Sequence, residues 1–233
     1  MQEKIKGLFI EKTAAVIEMA TQYALLSNAV SLAQERYTDM RENIILSTLG
    51  GIPQEFRSEF EIDVQFKKED LVEKYRNELV FLNFKNFFTT IVAEIDYLFE
   101  NLYRILLEKS GIEEKEIEKA IRNLWTNNNV YHYLIAYEGF DLENNTDFKK
   151  LFFHYLQIRI VRHALIHSNG NLTVKQATLI QQYNVEIGDE NFNFLETKIF
   201  SDNAVVIDFD NACNLRRYCI DFVCLLSGYF LEE

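Results

Sequence analysis

Residues 79–106 read LVFLNFKNFFTTIVAEIDYLFENLYRIL. Apolar side chains recur every three or four positions (Phe84, Phe87, Phe88, Ile91, Val92, Ile95, Leu98, Phe99, Leu102, Leu106), with Leu79, Val80 and Phe81 ahead of them. That spacing is the helical period, and so little of the circumference is polar that the helix predicts a place at the centre of a bundle. The pattern extends from Lys68 to Lys109, where Ser110-Gly111 supplies a stop.

Working outward, residues Glu3 to Ser47 carry a second helical pattern (Ile5, Leu8, Phe9, Val16, Ile17, Tyr23, Leu26, Val30), closed by Gly50-Gly51-Ile52-Pro53. Gln54 to Phe66 is irregular or briefly extended. Shorter helices follow at Glu113 to Trp125 and Asn129 to Tyr137, on either side of the turn-forming Asn127-Asn128-Asn129. Asn144-Asn145-Thr146-Asp147 offers N-cap residues to a helix from Phe148 to His167, and Ser168-Asn169-Gly170 offers its C-cap. Phe194 to Phe200 and Val205 to Phe209 flank Ser201-Asp202-Asn203 as a β-hairpin, and Asn211 to Leu231 reads as a closing helix. The expectation is one all-α domain over residues 1–233: a helical bundle with two long helices, shorter helices and a small hairpin before the C-terminal helix.

The chain of 233 residues, 48% apolar, is long enough to bury a sizeable core. No charge-free apolar run approaches the roughly 18–20 residues of a membrane span, and the opening MQEKIKGLFIEK is charged where a signal peptide is apolar, so the expectation is a cytoplasmic protein away from membranes. Cys213, Cys219 and Cys224 are odd in number, lack CxxC spacing and read as reduced core thiols.

A net charge of -12 argues against an extensive nucleic-acid groove, because phosphate neutralisation needs cations. The charge is unevenly spread. Phe148 to Val185 contains no Asp or Glu but has Lys149, Lys150, Arg159, Arg162 and Lys175, while the remainder, with 19 basic against 36 acidic residues, carries -17. A local anion site within an acidic body fits that distribution.

Within the acid-free segment lies RHALIHSNG, residues 162–170. On a helix, Arg159, Arg162, His163, Ile166 and His167 fall within an arc of roughly 140°. An ordinary solvated face carries Glu and Asp in i,i+4 ion pairs, and this one has none. Three readings compete for it. His163 and His167 at i,i+4 have the spacing of a zinc-binding helix, but the glutamate of HExxH is missing and two arginines repel a cation. The group also suits a structural seam between helices or subunits. Third, arginine presents a planar fork to a phosphate, and histidine exchanges a proton near neutral pH, which together suit an anion-directed catalytic site.

Arg162-His163-Ala164-Leu165-Ile166-His167 resembles the Arg-x4-6-His motif of HEPN-domain proteins, in which a polar residue commonly follows the arginine and small polar residues follow the histidine, as Ser168-Asn169-Gly170 do here. The placing of the motif near the end of a later helix in a bundle is similar too. The resemblance implies an endoribonuclease without metal or other cofactor. Arg162 would hold the scissile phosphate, His167 would act as general acid or base, and His163 would orient the phosphate or the other histidine. Arg159 and Asn169 would add substrate contacts. The RNA 2′-hydroxyl would be the nucleophile, leaving a 2′,3′-cyclic phosphate. The resemblance further implies a homodimer with a composite site, and a toxin or antiviral defence setting with a cognate antitoxin or defence partner. Some toxin members carry, two positions after the histidine, a tyrosine that a partner nucleotidyltransferase modifies; Asn169 stands there, which argues against that partnership. The alternative is a non-catalytic nucleotide-binding or dimeric assembly module using the same face. Catalysis predicts Arg162 and His167 exposed in a cleft, and a structural role predicts them buried and satisfied by protein. Glu94 and Asp96 of the central helix read as surface or seam residues, with orientation of a catalytic group as the second option.

Overall fold

The structure is a computed structural model and describes residues 2–40, 44–47, 63–125, 146–187, 200–201, 204–205 and 209–231. In chain order these form α1 (Gln2–Thr38), β1 (Ile44–Ser47), β2 (Asp63–Phe66), α2 (Lys68–Glu73), a π-helical turn (Lys74–Glu78), α3 (Leu79–Lys109), α4 (Glu114–Arg122), α5 (Thr146–His167), α6 (Val174–Ile187), β3 (Phe200–Ser201), β4 (Ala204–Val205) and α7 (Phe209–Leu231). The protein is all-α; its described residues make two long helices, shorter ones and two small strand pairs. No described helix is long and apolar enough to cross a membrane. The described chain falls into two compact units, one of Met1–Ala20 with Lys85–Glu233, the other of Thr21–Phe84. The sequence pattern, from which one domain over residues 1–233 is expected, does not mark this division.

In the Thr21–Phe84 unit the expected helix to Ser47 ends early, at Thr38. Residues 44–47 are instead a strand, antiparallel to β2 with Ile44 opposite Phe66 and Ser47 opposite Asp63. The β-branched pair Ile44-Ile45 suits a strand better than a helix end, and Ile44 is buried there. Asn83 Nδ2 donates to Ser27 Oγ (2.9 Å) and to the Tyr23 carbonyl (3.3 Å), and Tyr23 meets Phe84 edge-on. The helix expected from Lys68 to Lys109 is present, interrupted by the π-helical turn. The Gly50 to Pro53 break and the helix expected at Asn129 to Tyr137 lie outside the described residues.

In the other unit α3 is the centre, as its sequence predicts: Phe88, Ile91, Val92, Ile95, Leu98, Phe99, Leu102 and Leu106 are all buried. Phe99 meets Trp125, Phe152, Tyr155 and Phe222, with ring centroids 5.5–5.9 Å apart. Buried Lys12 of α1 bonds Glu94 of α3 at 2.9 Å and lies over the Tyr97 ring. Burial alone would lower the Lys12 ammonium, but hydrogen bonds to Glu11 and Glu94 hold it above its ordinary value. Of the cysteines only Cys219 is in the core, where burial pushes its thiol up; Cys213 and Cys224 are exposed, contrary to expectation, because they sit on the outer face of α7.

α3 stops where Gly111 takes φ 72°, letting the Ile112 amide reach back to the Leu107 carbonyl at 3.2 Å. Alanine at Gly111 meets no neighbouring atom but must hold the left-handed backbone. Gly111→Ala is therefore expected to cost about 1–2 kcal/mol in urea unfolding. A loss below a few tenths would show that the stop tolerates other backbone geometry.

The hairpin before α7 is present, but the pair is Phe200–Ser201 with Ala204–Val205, so Ser201 belongs to a strand, and Phe209 begins α7. Residues 194–199 and 206–208 lie outside the described residues. α6 was not anticipated. Its N-terminal signal, Thr173-Val174-Lys175-Gln176, is a capping box: Gln176 N donates to Thr173 Oγ1 (3.3 Å) and Thr173 N to Gln176 Oε1 (2.8 Å).

Candidate functional site

α5 ends as its sequence predicts. Asn169 (φ 49°) and Gly170 (φ 85°) turn left-handed, and the Gly170 amide returns to the Ala164 carbonyl at 3.0 Å. Gly170 then accepts from the Val205 amide at 2.9 Å, and Asn171 bridges to Ala204, so the hairpin is fastened to the helix end. α6 packs back on α5 through Gln157, which is fully buried. Its Nε2 donates to the Ile180 carbonyl (3.1 Å) and Asn184 Oδ1 (2.5 Å), while its Oε1 lies 3.2 Å from His154 Nδ1.

This pair of helices bounds a cavity of about 610 Å³, and its wall includes Arg159, Arg162, His163, His167, Lys175 and Gln176. Trp125, Ile166, Ser168, Thr173 and Tyr183 also contribute. Four of the five expected site residues, Arg159, Arg162, His163 and His167, therefore come together. The fifth, Asn169, is exposed at the cap and stands outside that wall. Its left-handed φ gives it a backbone role, since Asn tolerates that region better than most residues. Lys149 is tied to Glu186 of α6 at 3.2 Å, a helix-to-helix ion pair.

His163 and His167 are exposed and one helical turn apart, with ring centroids 4.5 Å apart. The arginines are partly covered and built on a buried carboxylate. Asp96 of α3 is 8% exposed. Its Oδ1 accepts from Tyr155 OH (2.6 Å) and Arg159 Nε (2.7 Å), and its Oδ2 from Arg162 Nη1 (3.1 Å) and, more weakly, Arg159 Nη2 (3.4 Å). Four donors use the whole accepting capacity of a carboxylate. Burial, reinforced by the Asp96 charge, pushes the Tyr155 phenol well up, so Tyr155 stays a donor. The Arg159 guanidinium lies 3.7 Å from the Trp125 ring centroid, which fixes its plane as well as its edge. Arg162 Nε is buried and finds no acceptor among the described residues.

Glu100, one turn beyond Asp96, is shifted upward by its own burial and then by the Asp96 charge. The wall itself carries Arg159, Arg162 and Lys175 and no carboxylate. Asp96 and Glu100 both stand by the two arginines, so the positive charge the wall presents comes from guanidinium edges turned to the opening and from Lys175. Such a site attracts an anion and presents it with guanidinium donors left over from Asp96 and with two imidazoles.

Asp96 is a buried anchor for both arginines, more than the surface or seam residue expected from the sequence. It follows Val92 by four and precedes Phe99 by three, both buried, which puts a carboxylate on the core stripe, where it must find donors. Gln176 was missed with α6. Its Nε2 lies 3.0 Å from His163 Nδ1. Among the described residues no group of three His, Cys, Asp or Glu side chains is gathered as a metal site. No protein-family model, characterised protein or solved structure matches this chain.

Proposed function

We propose that the chain is a metal-independent endoribonuclease of the HEPN type, cutting RNA by attack of its own 2′-hydroxyl. The observation that carries the reading is the joint presence of Arg162 and His167 on one carboxylate-free cavity wall, with Arg162 braced from behind by Asp96. Arg162, with Arg159 and Lys175, holds the phosphate and offsets the negative charge that grows on its oxygens. His167 takes the 2′-hydroxyl proton as the 2′-oxygen bonds to phosphorus. The bond from phosphorus to the 5′-oxygen breaks, and that oxygen takes a proton from the His167 of a second copy in a composite dimeric site. The products are a 2′,3′-cyclic phosphate and a 5′-hydroxyl. In a toxin or antiviral setting, a cognate partner would restrain this cutting.

The test is incubation of the purified protein with mixed cellular RNA in excess EDTA, followed by end-group analysis. Cyclic-phosphate ends are expected. Intact RNA, or cutting that EDTA abolishes, would overturn the proposal. One observation favours the second reading, a nucleotide-binding module: Asp96 already takes donors from both arginines. Tight phosphate-dependent nucleotide binding without cutting would select it.

A further inference from the structure

The hydrogen bonds around Gln176 have only one consistent direction. A backbone amide can only donate, so the Thr173 N–H, 2.8 Å from Gln176 Oε1, identifies that atom as the amide oxygen. The Thr173 hydroxyl, 3.0 Å away, adds a second donor to it. The other end of the same amide, Nε2, therefore faces His163 Nδ1 at 3.0 Å, and an amide nitrogen only donates. His163 Nδ1 must accept. In a neutral imidazole one nitrogen accepts and the other carries the proton, so the proton lies on Nε2. His163 lines the cavity and is exposed, which makes that N–H available to a ligand there.

Among the described residues no such constraint reaches His167. Its ring neighbours His163 one turn away, and the charged groups on the shared wall are Arg159, Arg162 and Lys175. Two histidines that look equivalent in the sequence are thus unequal in the fold. One is set by α6, and the other takes no hydrogen bond from the described residues.

We infer that Gln176 is a positioning residue that fixes the proton of His163 on Nε2, making His163 a standing hydrogen-bond donor to the substrate phosphate and leaving proton transfer to His167. The division of roles rests on the nuclease reading, whereas the proton's place rests only on the hydrogen bonds just described. It also explains why the capping box matters to the site. The same Gln176 oxygen that starts α6 is what turns its nitrogen toward His163.

The experiment records long-range 1H–15N spectra of histidine-labelled full-length protein at about pH 8.5, where an imidazole of reference pKa about 6.5 is neutral. His163 is assigned by loss of its signals in His163→Asn. The expected result is an Nε2–H ring in the parent chain. In Gln176→Glu the capping box survives, because glutamate accepts from the Thr173 amide equally well, but the carboxylate can only accept from His163 and draws the proton to Nδ1. An Nδ1–H ring in the parent, or an unchanged ring in Gln176→Glu, overturns the inference. Cleavage by Gln176→Glu is expected to fall on the order of tenfold, less than loss of an acid or base itself, and mainly in kcat. A parental rate despite a moved proton would overturn the donor role. The spectra need no turnover, so a parent that shows the Nε2–H ring but cuts no RNA would defeat the nuclease reading alone.

Discussion

His167→Ala is expected to lower RNA cleavage by about 10²–10⁴-fold, the usual worth of a positioned acid or base, while leaving stability within about 0.5 kcal/mol of the parent. The reason lies in its surroundings. His167 is exposed on the last turn of α5, and the cap that follows is made by the backbone of Ser168 and Gly170 returning to Ala164, so no core contact or helix end is lost with the imidazole. Arg162→Ala should also abolish cutting, but it removes one of the donors to Asp96 and so mixes a folding effect with the chemical one. Single-turnover cleavage of a labelled RNA beside urea unfolding separates the two. A His167→Ala protein that cuts at the parental rate removes His167 from the mechanism.

Asp96→Ala is expected to destabilise the fold by about 3 kcal/mol, toward the lower end of what breaking a buried ion pair costs, because both arginines keep some contact with water. Two guanidinium groups would be left close together over the space the carboxylate held, and among the described residues the buried Tyr155 hydroxyl would keep the Val92 carbonyl alone, 3.1 Å away. Asp96→Asn should recover little. An amide has one oxygen for four donors and turns its own N–H groups toward cations. Urea unfolding measures the loss, and a change under about 1 kcal/mol would show that water or Glu100 replaces the carboxylate.

Much of this architecture is legible in the sequence, and the exceptions have physical causes. The apolar run through Phe88, Ile95 and Leu102 fixes a buried helix because no other structure hides residues at that period. The stop at Ser168-Asn169-Gly170 is legible because few residues adopt a positive φ easily. The end of α1 is not legible because Ile44 and Leu46 suit either period, and pairing with β2 decides between them. The arginine and histidine face was legible as a face, but its partners were not. Asp96 comes from 66 positions upstream of Arg162, a separation that no local pattern reveals. Gln176 is much closer, and its capping box was there to be read.

The fastening of α5 to its neighbours also bears on how the molecule opens. Six residues, 168–173, join α5 to α6. A left-handed cap closes one end of that connection, a capping box closes the other, and the Val205 amide is tied to its middle at Gly170. Separating the histidines from Gln176 therefore requires several bonds to break together, Gln157 to Ile180 among them. In hydrogen exchange the amides of Ala164, Ser168, Gly170 and Ala177 should exchange as a single cooperative unit. The two histidines and the residue that orients one of them then persist or vanish together, so any population that has lost the site has also lost the α5 to α6 hairpin.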